Sequence, residues 1–370
     1  MLELFFDLCF VVAVAQAAAG LHHDLAEQHV GYGLSSYLLV FFAIWWAWMN
    51  FTWFASAYDC DDGPYRLGTF VQITGALVIA AGVPRAFADG DYTVMTFGYV
   101  LMRLAGVAQW LRAARSDAAH RTTALRYAAG IAAVQVLWVA RLAVPEEWFL
   151  PSMLTLILVE LLVPAWAERA AATTWHPRHI AERYGLFTII VLGESVLAAT
   201  VAVQSSLDAG HAAGKLLWLT GAGAVIVFSM WWLYFDTPAH ERLTSLRRAF
   251  LWGYGHYPVF ASAAAVGAGL AVAVDFKTGT AHIPAVGAGY SIAVPVAVFL
   301  LSVWALHIRA SRTGAVTPAY LITTGLVLVT PLTPAPVELI ALLLAALVAV
   351  TVLASTPRGT ARAISPEPEC

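Results

Sequence analysis

Two ionisable residues lie where an apolar sequence should carry none. Glu194 follows Glu182 by twelve residues, roughly 18 Å along a helix and so near the middle of a bilayer. Arg103 precedes Arg112 by nine residues, roughly 13 Å from the same side on a helix running the other way. A charge in hydrocarbon is costly, so such groups face a cavity or a partner. Together Glu194 and Arg103 would form a neutral unit that proton or substrate binding opens. The plainer alternative is a static ion pair that fixes helix packing.

A second group gathers toward one side: Glu3, Asp7, Glu160, His179, Glu182, Arg183, Asp236 and His256. Carboxylates beside imidazoles suit a proton relay, because histidine titrates near neutral pH and burial moves a carboxylate toward it. Glu3 and Glu182 also fit helix N-termini, where the macrodipole favours negative charge. Asp7 and Glu194 lack that explanation and point to function.

Gln16, Asn50, Gln72 and Gln109 would line a cavity or, equally, join helices by hydrogen bonds. Trp46 and its counterpart Trp232 fall toward the middle of their segments, where they would stack on an organic ligand. Other aromatic residues near segment ends read as interfacial anchors. The run His22-His23-Asp24 with Glu27 and His29 has metal-like residue types without ligand spacing, so no metal site is expected. Asp59-Cys60-Asp61-Asp62 with Arg66 resembles the acidic signature of some terpene cyclases by four letters, which chance explains. With no phosphate loop and no nucleophile elbow, neither ATP-driven transport nor serine hydrolysis has support, and no cofactor is called for.

The elements that position these residues follow from composition. Hydrophobic residues make up 60% of the chain and charged ones 12%, against roughly 25% charged in ordinary soluble domains. Such a chain needs lipid as its solvent. Apolar runs predict an all-α membrane protein of about twelve spans: 2–20, 36–57, 67–86, 92–111, 122–143, 148–166, 183–204, 215–235, 249–272, 284–306, 316–333 and 336–355. The first lacks a basic lead and a cleavage site, so it reads as a retained helix. Pro331, Pro334 and Pro336 make the eleventh the weakest, broken or re-entrant. Cys9, Cys60 and Cys370 form no spaced framework and read as free thiols.

Alternating the loops places fifteen of the twenty basic residues on one side, Arg112, Arg115, Arg247, Arg248, Arg309 and Arg312 among them. Basic loops stay cytoplasmic, which puts both termini inside. A net charge of −3 suggests no nucleic-acid partner. The expected surroundings are the bilayer and a small-molecule or lipid ligand, and no pattern fixes an oligomeric state. The halves also overlay in order: Glu3 on Glu182, Trp45-Trp46 on Trp231-Trp232, and Arg112 with Arg115 on Arg309 with Arg312. That predicts two parallel six-helix repeats, residues 1–170 and 171–356, with a short tail at 357–370, an architecture found among secondary transporters.

Two long segments carry a family resemblance. Glu3-Leu-Phe-Phe-Asp7-Leu-Cys-Phe-Val resembles the opening signature of the bacterial low temperature requirement A family. His179-Ile-Ala-Glu182-Arg183-Tyr-Gly-Leu-Phe-Thr-Ile-Ile-Val-Leu-Gly-Glu194 resembles its central one. The acidic turn before Arg66 and the run Ala80 to Phe87 are similar as well. The resemblance implies a multi-pass protein of the bacterial inner membrane and marks Glu3, Asp7, His179, Glu182, Arg183 and Glu194 as motif residues without assigned roles. Relatives carry a short stretch before the first signature, so the resemblance places the natural start upstream of Met1. The function expected on these grounds is proton-coupled secondary transport, with Glu194 as proton site, Arg103 as its partner or a substrate anchor, and Asp7 and Asp236 on the access path. The alternatives are an intramembrane enzyme acting on a lipid or isoprenoid through the His, Asp and Glu cluster, and a non-catalytic sensor or scaffold for cold adaptation.

Overall fold

The computed structural model of the chain describes residues 1–208, 213–238, 240–309 and 314–355. Arg312, Cys370 and the tail expected at 357–370 lie outside them. Twelve α-helices and no strand occur among the described residues. They are α1 Leu2–Ala26, α2 Val30–Tyr58, α3 Gly63–Ala88, α4 Thr93–Ser116, α5 Arg121–Arg141, α6 Phe149–Ala167, α7 Pro177–Asp208, α8 Ala213–Phe235, α9 Leu246–Thr278, α10 Ala285–Val303, α11 Val316–Val329 and α12 Pro336–Ser355. Eleven helical segments are long and apolar enough to cross a membrane. The chain is thus the all-α polytopic membrane protein that its composition predicts.

The exception is α11. With the 3₁₀ turn Thr330–Leu332 that extends it, the apolar stretch is Val316–Leu332, about 25 Å at helical rise and short of the roughly 30 Å hydrocarbon core. Pro331 ends it, as its ring and missing N–H require.

Local chemistry sets the helix starts. Asp62 accepts a hydrogen bond from the Tyr65 amide at 2.9 Å and caps α3, while Ser245 caps α9 through the Arg248 amide. In the first half α1 packs on α2 and α3, α3 on α4, α4 on α5 and α5 on α6. In the second half α7 packs on α8 and α9, α9 on α10, α10 on α11 and α11 on α12. The halves meet where α1 lies against α7 and α9.

Lipid tails are as apolar as leucine, so helices associate here by close packing and polar bonds. That explains the small residues of α9, the most enclosed span, along Ala261–Val274. A Cβ on Gly269 would stand 2.2 Å from the Ser291 carbonyl oxygen of α10, and one on Gly98 of α4 would stand 2.7 Å from the Gly75 carbonyl oxygen of α3. Only glycine permits these approaches.

Candidate functional site

Arg103 does pair with a buried carboxylate, but the partner is Glu160, not Glu194. Its guanidinium lies 3.0 Å from Glu160 Oε2, with Glu160 fully enclosed and Arg103 nearly so. Trp46 Nε1 donates to the same oxygen at 2.9 Å. Glu160 Oε1 accepts from the Tyr99 hydroxyl at 3.0 Å, Gln135 Nε2 at 3.1 Å and Trp138 Nε1 at 3.2 Å. Five donors therefore converge on a group with about four lone-pair sites. Depth explains the pairing: Arg103 stands ten residues past the start of α4 and Glu160 eleven past the start of α6, helices that run in the same sense. Glu160, expected near a helix end, is instead mid-span.

Glu194 has no hydrogen-bond or ion-pair partner among the described residues. It is half-buried on α7, beside the face that exposes Ile189, Val196, Leu197 and Val201.

A second charged cluster joins the halves. Arg183 of α7 reaches Asp7 Oδ1 at 2.6 Å and Glu3 Oε2 at 2.9 Å, both on α1. His179, one turn before Arg183, lies 3.0 Å from the same Glu3 oxygen. Trp48 of α2 donates to Asp7 Oδ1 at 2.7 Å. Asp7 is fully enclosed, and its Oδ2 has no partner. The cluster is walled by Phe51, which stacks on Phe6 at 3.9 Å and lies 6.0 Å from the Arg183 guanidinium, and by Phe187 stacked on Trp48 at 4.3 Å. Glu3 also borders an open vestibule with Asp59, Asp61, Tyr65 and Arg66. There, outside the spans, hydrogen bonds from Arg66 hold the Asp61 carboxyl below its ordinary range.

Two carboxylates, one guanidinium and one imidazole sum to zero charge only when the cluster carries one extra proton. The arrangement can therefore hold and release a proton at the seam between the halves, next to a polar entrance. Four of the six motif residues, Glu3, Asp7, His179 and Arg183, are brought together in this way. Glu182, next to Arg183 on α7, is exposed and takes no part in the cluster.

Asn50, Gln72, Gln109 and Arg103 line one small pocket between α2, α3 and α4. Gln72 donates to Gln109 at 2.7 Å and Asn50 to the Trp46 carbonyl at 2.7 Å, so the same side chains border space and join helices. Gln16 is no part of it: the side chain is exposed on the outside of α1. Trp46 is held by Glu160, whereas Trp232 faces outward at 44% exposure, so the two do not form a common wall. The cause in both cases is that these helices are apolar all round, and apolarity does not tell a lipid face from a packed one.

His256 is fully buried in the second half. Tyr234 hydroxyl lies 3.0 Å from its Nε2, the Trp252 carbonyl 2.7 Å from its Nδ1, and Tyr184 and His307 pack against its ring. Asp236 is half-buried just past the end of α8. His22 pairs with Asp275 at 2.7 Å and His282 with Glu27 at 3.1 Å, and no metal-holding group of three occurs among the described residues. Cys9 and Cys60 are free. Not foreseen as donors to the two carboxylates were Trp48, Tyr99, Gln135 and Trp138. The readable signal was a surplus of polar-tipped aromatic residues at the depth of the buried acids.

The helices and the buried charges define a multi-pass membrane protein whose interior is organised around ion pairs. Residues 1–354 match the bacterial low temperature requirement A protein family, and the chain belongs to it. It is 27% identical over 300 residues, 75% of this chain and 70% of the relative, to an uncharacterized protein of Rhizobium meliloti (strain 1021). No solved structure matches the chain.

Proposed function

We propose that the protein is a proton-coupled secondary transporter of the bacterial inner membrane with both termini in the cytoplasm. One observation carries this reading: Arg183 bridges Glu3 and Asp7 across the α1–α7 seam, with one Asp7 oxygen unpartnered and Glu3 opening onto a vestibule. Protonating Asp7 weakens its hold on Arg183, so the helices that join the halves would separate most readily when the cluster carries its proton. The order in which successive helices pack matches between the halves, apart from α8 against α12, and supports two parallel repeats that can rock about this seam. The distribution of basic loops supports the orientation. Glu194, eleven residues beyond Arg183 on the same helix and roughly 17 Å deeper, would be the next protonatable group along the path. The burial of His256, one of the groups an enzyme would draw on as a base, favours transport over the enzyme reading.

The test is solute-evoked proton movement in proteoliposomes loaded with a pH dye. A panel of amino acids, peptides, amines and organic acids should contain at least one solute that moves protons with wild-type protein and not with Asp7→Asn. Solute uptake without proton movement, or equal proton movement in both proteins, removes the coupling.

A further inference from the structure

Three arginines are buried among the described residues, and two of them are neutralised: Arg103 by Glu160, and Arg183 by Glu3 and Asp7. The third, Arg141, is 9% exposed, and its side chain forms no ion pair or hydrogen bond among those residues. It is the last residue of α5, at the end of the bundle opposite Glu3. What surrounds it is aromatic. The guanidinium carbon stands 4.3 Å from the centre of the Phe149 ring, where α6 begins, and 6.0 Å from that of Tyr92, just before α4. A ring attracts the flat face of a guanidinium and so leaves the in-plane N–H donors unspent. Nε is sealed without a partner, but the two amino nitrogens are not sealed, so an acceptor at the protein surface can reach them. A desolvated cation without a counter-ion is costly, and a phosphate or carboxylate would answer both its charge and its forked donors.

The surroundings favour one source for that anion. Trp148, 60% exposed in the turn before α6, has the place of an interfacial anchor and sets Arg141 at headgroup depth. Nearby, α5 exposes Val136 and Val139 and α6 exposes Leu150 and Leu154, apolar surface on which acyl tails can lie. From the aqueous side the approach is acidic: Asp89, Glu146 and Glu147 are exposed in the adjoining connections, and none of them pairs with Arg141. These carboxylates repel a dissolved anion, whereas a phosphate carried by a lipid arrives sideways with its tails already in the bilayer. We propose that Arg141 binds the phosphate of an anionic phospholipid from the leaflet opposite Glu3. The site is separate from the α1–α7 cluster and does not rest on transport.

The test titrates protein purified in dodecyl maltoside with dioctanoyl phosphatidylglycerol, dioctanoyl phosphatidylcholine and glycerol 1-phosphate. The rise in unfolding temperature with concentration gives each affinity. Phosphatidylglycerol should bind on the order of tenfold more tightly than phosphatidylcholine, as one charge-assisted contact to an uncompensated cation requires. Glycerol 1-phosphate, which has no tails, should give no shift at the same concentrations. Arg141→Gln should erase the preference between the lipids, and Arg85→Gln, at an exposed arginine of the same end, should keep it. Equal affinities for the two lipids, or a preference that survives Arg141→Gln, overturns the proposal. An Arg141-dependent shift with glycerol 1-phosphate as large as that with lipid makes this a free-anion site and overturns the lipid. Should Arg141→Gln not fold, a structure of wild-type protein in phosphatidylglycerol nanodiscs decides. A phosphate within hydrogen-bond distance of Arg141 supports the site, and none there overturns it.

Discussion

Replacing Glu160 by glutamine removes the charge opposite Arg103 and turns one of two accepting oxygens into a donor. Taking one partner from a buried ion pair destabilises by about 3–5 kcal/mol. The amide must also direct its nitrogen at one of two donor sets: Tyr99, Gln135 and Trp138 at one oxygen, or Trp46 and Arg103 at the other. The smaller set is the cheaper choice, and leaving it unpaired adds about 1–3 kcal/mol. Glu160→Gln should therefore lose about 4–8 kcal/mol, at least roughly three decades in the unfolding equilibrium. Reversible unfolding in mixed detergent micelles containing SDS, followed by tryptophan fluorescence, measures it. The double variant Arg103→Gln with Glu160→Gln removes the lone charge and should be more stable than Glu160→Gln alone. A single variant within about 1 kcal/mol of wild type, or a double variant that loses the sum of the two singles, would refute the claim that charge pairing holds these helices.

Asp7→Asn should cost much less, because the amide oxygen still accepts from Trp48 and Arg183 keeps Glu3; the same unfolding assay ranks the two variants. Gly269→Val forces side-chain atoms into the Ser291 carbonyl, so folded yield should collapse in size-exclusion profiles, while Gly279→Asn, at a left-handed turn with open space around it, should fold. Arg66→Ala should let the Asp61 carboxyl titrate back near 3.8, readable by carbon NMR. Because Asp61 is depressed when folded, any stability it lends is present above pH 4 and lost as pH falls. Its full exposure makes that loss too small to shift the unfolding midpoint.

The helices were legible because a span leaves a long apolar run, and α11 was legible as the weak one because Pro331 cuts it short. The partner of Arg103 was misread because depth was counted from Glu182 and Arg112. Counting from the starts of α4 and α6 sets Arg103 and Glu160 level. The Arg183–Asp7 bridge joins residues 176 apart, and only the packing of α1 on α7 brings them together. Gln16 and Trp232 looked interior because helices that are apolar on every side carry no moment to mark the lipid face. The tryptophan donors were hidden for a different reason: an indole reads as apolar until a carboxylate is found opposite its N–H.

Coupling at the α1–α7 seam requires a proton held by the cluster of Glu3, Asp7, His179 and Arg183. Infrared difference spectroscopy of the protein in lipid, recorded across a pH titration in water and heavy water, detects it as a carboxylic acid or imidazolium band that shifts with isotope. A band equivalent to one proton per chain should appear on acidification in wild-type protein and be altered in Asp7→Asn and His179→Gln. A cluster that takes up no proton between pH 4 and 9, with both variants matching wild type, would contradict proton coupling at this seam.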